Sequence, residues 1–338
     1  MKHFLPAVCC HPTEIMFIDD NRKFLKNINT WLNQDELSYK TFDNPVVALK
    51  FLIEEYDPHP FTDHCLYHTN LDELTPLDCA ELGVSIRKIQ NEMYRQKRFS
   101  EISVIVVDYA MPGLNGVDFC AKLQGLPIKK IMLTGEADER LGIKAFNEGL
   151  IDQFIRKEDP DFYTTINNAI HDMQVTYFQD LSCRIVDSLK SLSPSMSFLT
   201  DPVFIDFFDD FCNSIQPTEY YLMDQFGSFI FLDKLGSPQW LVVKNETEIS
   251  SLLEFAKSGD NVPHEVIRLL AERRHIPYFH TDKEITETAP AQWLSFMRLA
   301  QKLQGKKDTY YYTIITDPKA HDIGDILSFE KYMQERNR

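Results

Sequence analysis

Within residues 1–160, short apolar runs alternate five times with stretches spaced like amphipathic helices. The runs are TEIMFID from Thr13, LSYKTF from Leu37, EISVIVV from Glu101, PIKKIMLT from Pro127 and IDQFIRK from Ile151. Between them lie NRKFLKNINTWLNQ, with Phe24, Leu25, Ile28 and Leu32 on one helical face, and PVVALKFLIEEY, which Asn44 can cap with Pro45 at its first position. VDFCAKLQ and ADERLGIKAFNEG supply the next two helices. Five alternations of strand and helix predict a parallel sheet covered on both faces. In a doubly wound sheet of order 2-1-3-4-5, ligands bind at the carboxyl ends of the strands.

The same pattern predicts how the rest of the chain is divided. Residues 1–160 form the parallel-sheet domain, interrupted at about 57–82 by an irregular insertion rich in Pro, His and Asp. The segment ELGVSIRKIQNEMYRQKRF after it has a helical look. From Asp161 to Leu192 apolar residues recur at steps of three and four, which predicts one long helix, either a dimer-forming coiled coil or a connector packed on its own domains. The remainder, 198–338, has a different grammar. DPVFIDFFDDFCNSI is an apolar-faced helix, and EYYLMD, SFIFLD and QWLVVKN predict an antiparallel meander joined by the turns QFG and KLGSP. TEISSLLEFAKSG, PHEVIRLLAERR and APAQWLSFMRLAQKLQ read as helices, and TYYYTIIT as a late strand. The second domain is therefore expected to be α+β.

Composition excludes several classes. A chain of 338 residues suits two domains rather than one. No apolar run reaches the roughly 18 residues that span a bilayer, and the start is too interrupted for a secretion signal. Seven scattered cysteines without CxxC spacing predict reduced thiols and a cytoplasmic setting. The net charge of −16 argues against a DNA binder driven by phosphate neutralisation. The tail has no basic helix-turn-helix, no P-loop, no GxSxG and no HExxH. Whether the second domain is an enzyme is left open by these absences.

The chemistry collects at the predicted strand ends. Asp19 and Asp20 close the first strand, Asp108 the third, Thr134 the fourth and Lys157 the fifth. Three carboxylates in one crevice repel unless a cation neutralises them, and a hard divalent ion such as Mg²⁺ suits oxygen ligands with open positions. A phosphoryl group on Asp108 would find donors in Lys157 and Thr134. A capping acid alone, or a dehalogenase-type phosphatase, explains Asp108 less well. The second acid of that phosphatase class is missing, because Ala110 stands in its place.

The motifs FIDDN, VVDYAMPGLNG, IMLTGEAD and DQFIRK resemble those of the response-regulator receiver family over about residues 13–170. The resemblance implies a flavodoxin-like α/β receiver in which a sensor histidine kinase phosphorylates Asp108. It implies Mg²⁺ held by Asp19, Asp20, Asp108 and the Ala110 carbonyl, catalytic contacts from Thr134 and Lys157, and a switching aromatic at Phe154. Glu158, where the family usually has proline, and roughly 40 extra residues before the third strand depart from the pattern. The whole layout, with the tail EYYLMDQFGSFIFLDKLGSPQWLVV, resembles Legionella-type quorum-sensing response regulators.

Three outputs stay open for the tail: protein binding, including a homodimer formed on phosphorylation; transcription control through an unfamiliar DNA-binding fold; and an enzyme or a sensor of nucleotides or other small molecules. In the insertion, His59, His64, Cys65, His68 and Cys79 are candidate zinc ligands, His64 and His68 having helical i, i+4 spacing. A polar loop that happens to hold histidines explains them as well.

Overall fold

A computed structural model describes residues 6–32, 37–56, 65–68, 82–135, 139–192, 194–259, 261–279, 288–316 and 326–336. The chain forms two compact units. The first comprises Cys10–His64, Arg95–Leu181 and Phe329–Arg338; the second comprises Met1–Cys9, Cys65–Tyr94 and Ser182–Ser328.

In the first unit the strands are β1 (Glu14–Ile18), β2 (Ser38–Phe42), β3 (Ile102–Asp108), β4 (Lys129–Thr134) and β5 (Gln153–Arg156). They form one parallel sheet in the order β2-β1-β3-β4-β5, as the alternation of the sequence requires. The helices are α1 (Arg22–Trp31), α2 (Pro45–Lys50), α3 (Gly116–Ala121), α4 (Glu139–Asn147) and α5 (Phe162–Leu192). Because successive strand residues face opposite sides, the strands feed two cores. Ile15, Phe17, Val104, Val106, Ile131 and Leu133 meet α1 and α5 through Leu25, Ile28, Ile166 and Ile170. Met16, Ile18, Ile105, Val107 and Met132 meet Ala48, Phe119, Cys120 and Ala145 of α2, α3 and α4. A strand clothed on both faces has no polar side, which is why Val104–Val107 is apolar without alternation. The caps are local and legible: the side chains of Asn21, Asn44 and Asn115 accept from the first-turn amides of α1, α2 and α3.

The second unit is built on an antiparallel sheet. Its main strands are β6 (Glu219–Leu222), β7 (Phe229–Leu232) and β8 (Pro238–Asn245), with β9 (His275–Pro277) and β10 (Met297–Leu299) pairing apart from them. β11 (Gln301–Gln304) and β12 (Thr309–Ile315) complete the sheet, in the order β6-β7-β8-β12-β11 beyond a short strand at Cys9–Cys10. The meander expected from the sequence is therefore its centre. One face carries α6 (Pro202–Ile215), whose Phe208 and Phe211 rings pack on Tyr220, Phe229 and Phe231. The other carries α7 (Glu246–Ser258) and α8 (His264–Ala271), which close over Trp240 and Val242. A last helix, α9 (Phe329–Arg336), groups with the first unit, where Arg336 meets the buried Glu14 carboxylate at 2.6 Å.

Two expected helices are corrected. APAQWLSFMRLAQKLQ is a 3₁₀ segment, Pro290–Phe296, followed by β10 and β11, because Gln301–Gln304 pairs with Thr309–Tyr312 in a hairpin closed at Gly305. Cross-strand pairing with a tyrosine-rich strand outweighs its helical spacing. ELGVSIRKIQ starts as a strand, Leu82–Val84, paired with Leu66–His68, and only Ile86–Asn91 is helical, capped by Ser85. The units also cut across the linear division drawn from the sequence. Residues 65–94 group with the second unit, where Gln90 Nε2 donates to the Met223 carbonyl at 2.6 Å, and α5 divides at Leu181.

Asp201 illustrates how the second unit is held. Its buried carboxylate caps α6 through Val203 N and accepts the amides of Lys306 and Lys307 at 3.1 and 2.8 Å. Burial pushes its pKa up, but the amides of Lys307, Lys306 and Val203 outweigh that and hold it below the usual carboxylate range. A folded-state pKa below the unfolded one means stability present above the unfolded pKa and lost as pH falls through the folded one. Asp201→Ala is expected to lower stability by about 2 kcal/mol at neutral pH. Denaturant titrations from pH 7 downward should show the wild type losing that margin in acid and the variant lacking this contribution.

Candidate functional site

The register of the parallel sheet builds the site. Ile18 pairs with Val107, Asp108 with Leu133, and Thr134 with Arg156. Asp19 and Lys157, each one residue past its strand, therefore reach the same carboxyl edge as Asp108 and Thr134. A one-residue slip of β3 would turn Asp108 to the opposite face. The positions are fixed by backbone bonds: Asp19 N donates to Phe42 O at 3.1 Å, Tyr109 N to Leu133 O at 2.9 Å and Lys157 N to Thr134 O at 3.0 Å.

At that edge one carboxylate oxygen each from Asp19, Asp20 and Asp108 lies within 4.8 Å of the others. Asp19 and Asp108 are buried and Asp20 is exposed. The Lys157 ammonium bridges the buried pair, 2.6 Å from Asp19 Oδ2 and 2.8 Å from Asp108 Oδ1. It also stands 5.1 Å from the centre of the Phe24 ring. Burial opposes the charge of Lys157, but its bonds to Asp108 and Asp19 outweigh burial and raise its pKa. Burial raises the pKa of Asp19, against the pull of Lys157 and of the Asn21 amide, which donates to Oδ1 at 2.7 Å.

The Thr134 hydroxyl is buried at the end of β4 and has no hydrogen-bond partner among the described residues. A buried hydroxyl left without an acceptor is destabilising by about 1–3 kcal/mol, so its place asks for a ligand oxygen. Phe154, half-buried on β5 opposite Met132, packs on the core under α4. Gly142 of α4 approaches both residues: a Cβ there would lie 3.3 Å from Thr134 Cγ2 and 3.4 Å from Phe154 Cγ. Ala110 is exposed in the loop two residues beyond Asp108. Gly116 closes that loop, its amide donating to Tyr109 O at 3.0 Å.

The strand-end residues singled out in the sequence thus meet at one edge. Two that the sequence did not single out for the site are Phe24 and Gly142. Phe24 was legible only as part of a helix face, and no spacing shows that its ring lies beside Lys157. Of the candidate zinc ligands, Cys65 is a buried thiol whose pKa burial pushes up to about 12, chiefly by desolvation and further by Glu92. His59, His64 and Cys79, and the side chain of His68, lie outside the described residues.

A five-stranded parallel sheet of this order, with acids, a threonine and a lysine at its carboxyl edge, is the architecture of a receiver domain. The response regulator receiver domain description matches residues 77–166. That span takes in Asp108, Thr134, Phe154 and Lys157 but not β1, which the inserted residues separate from it in the chain. The Legionella pneumophila response regulator LqsR is 33% identical, covering 99% of this chain and 97% of its own, with a TM-score of 0.80. The chain belongs to the response-regulator family, and its similarity to LqsR extends through both units. Shorter structures align over about half of it. A response regulator receiver domain protein from Clostridium thermocellum is 23% identical over 48% of this chain and 98% of its own, with a TM-score of 0.30. An adenylate cyclase from Rhodopirellula baltica is 20% identical over 54% of this chain and 96% of its own, with a TM-score of 0.33. Among curated proteins no sequence matches. Among the described residues no helix is long and apolar enough to cross a membrane.

Proposed function

We propose that this chain is a two-component response regulator that takes a phosphoryl group from a sensor histidine kinase onto Asp108 and relays the change to its second unit. The observation that carries the reading is the Lys157 ammonium held between Asp19 and Asp108, with the Thr134 hydroxyl, unpartnered among the described residues, at the same edge. Mg²⁺ fits the donor set, three carboxylates within reach of one another, and Asp19, Asp20, Asp108 and the Ala110 carbonyl are the residues that would hold it. When bound, the ion neutralises the acids and the developing charge on the transferred group.

A carboxylate oxygen of Asp108 attacks the phosphorus of a phosphohistidine. The P–O bond forms as the P–N bond breaks, and the freed imidazole takes a proton. Lys157, 2.8 Å from Asp108 Oδ1, donates to the incoming oxygens. Thr134, whose hydroxyl has no partner among the described residues, supplies a further donor. Phosphorylation places a charge of about −1.5 to −2 on the phosphoryl oxygens where a carboxylate stood. As Thr134 turns toward the phosphoryl oxygens, the space it shares with Gly142 and Phe154 changes, Phe154 turns inward, and the α4–β5 face takes a second shape. The start of α5 lies directly after β5 in the chain, so that helix is placed to pass the change on.

Dimerisation is the output this reading favours, in a quorum-sensing pathway as the whole-chain similarity to LqsR suggests. Light scattering coupled to size exclusion, with Mg²⁺ and a small phosphoryl donor, is expected to show the mass doubling. EDTA should prevent it. Phe154→Ala should keep the phosphate but lose the mass change. A mass that stays at one chain despite phosphate on Asp108 would remove dimerisation from the mechanism.

A further inference from the structure

Inside the second unit, a cavity of about 390 Å³ opens where the β6–β7 turn, one face of β8, the start of α7 and the segment after β9 converge with the helix Ile86–Asn91. That volume is in the range of small-molecule sites. The last of these walls belongs to the stretch that interrupts the receiver in sequence. Gln90 fixes it there, through the bond to the Met223 carbonyl at the turn.

The lining has two characters. Its apolar part is aromatic: Trp240 and Tyr278 are both nearly buried and meet edge to face at 5.0 Å, with Phe279 beside them in the wall. Its polar part carries both signs. Lys244 on β8 lies 3.6 Å from Asp224 and 3.8 Å from Glu248, with its ammonium 4.8 Å from the centre of the Phe226 ring. Arg87, on the helical wall, is exposed and forms no ion pair among the described residues. A polyanion would set several charges against Asp224 and Glu248, and a plain cation would meet Arg87 and Lys244. A molecule that carries one charge of each sign finds an opposite partner for both, and flat aromatic walls favour a ring.

We propose that this cavity binds a zwitterionic aromatic small molecule of the free amino acid class. Its ring lies against Trp240, Tyr278 and Phe279, its carboxylate faces Arg87, and its ammonium faces the Asp224–Glu248 side. The inference does not rest on phosphorylation of Asp108. It gives the inserted helix a role as a wall of the second unit's binding site.

Four indoles with one ring and different charges test it by calorimetric titration into the full-length protein: L-tryptophan as zwitterion, tryptamine as cation, indole-3-acetate as anion and indole as neutral molecule. L-Tryptophan is expected to bind at least about tenfold more tightly than each of the others. Arg87→Glu should weaken L-tryptophan at least about fivefold and leave indole within about twofold. Leu252→Trp, which fills the cavity from α7, should abolish binding of all four. The proposal is overturned if L-tryptophan binds no better than indole, if Arg87→Glu binds it as the wild type does, or if none of the four binds at millimolar concentration. Arg87 is exposed, so its variant decides the matter even where Leu252→Trp does not fold.

Discussion

Asp108→Asn is expected to incorporate no phosphate from a small phosphoryl donor under conditions in which the wild type is labelled, as intact-protein mass spectrometry would show. The amide oxygen is a poor nucleophile, and the neighbouring carboxylates of Asp19 and Asp20 follow a different strand, β1. Asp19 is held by Lys157 at 2.6 Å and by the Asn21 amide at 2.7 Å, which turns it aside from the role. The variant should remain folded, since the neutral amide relieves one of three clustered charges and leaves the Lys157–Asp19 pair in place. Lys157→Met should instead retain the nucleophile and slow labelling by on the order of a hundred- to a thousandfold, the effect of removing one aimed donor. Labelled Asp108→Asn, with phosphate mapped to another residue, would end the assignment of Asp108 as acceptor.

Gly116→Ala should damage both the fold and the site. A Cβ at Gly116 would stand 2.5 Å from the backbone oxygen of Asp108 and 3.1 Å from the Tyr109 Cα, and neither of those backbone atoms can swing away as a side chain would. Either α3 must retreat or the loop that carries Asp108 must move. We expect a loss of about 2–3 kcal/mol in urea unfolding, and labelling reduced well beyond what the lost stability explains. Gly125→Ala is the control, because nothing lies within 4 Å of a Cβ there, and it should stay within about 0.5 kcal/mol of wild type. A Gly116→Ala protein with wild-type stability and labelling would show that the close approach is not needed.

Much of the first unit was determined by the sequence itself. Apolar runs such as Val104–Val107, with no polar side, fit a sheet covered on both faces, and asparagines before α1, α2 and α3 state where each of these begins. The acids, Thr134 and Lys157 follow these runs directly, so their convergence follows once the strand order is known. These signals are local: they depend on the alternation and on residues one or two positions away. Residues 65–94 and the segment Pro290–Gln304 were not legible in this way. Their placement depends on partners far along the chain, as when Gln90 reaches Met223 or Gln301 pairs with Tyr312. The helical spacing of Pro290–Gln304 is real, but strand pairing with Thr309–Tyr312 satisfies its backbone and wins. Only the tertiary structure decided that the stretch interrupting the receiver walls a cavity of the second unit and that the last helix groups with the first, because both depend on non-local packing that no periodicity encodes.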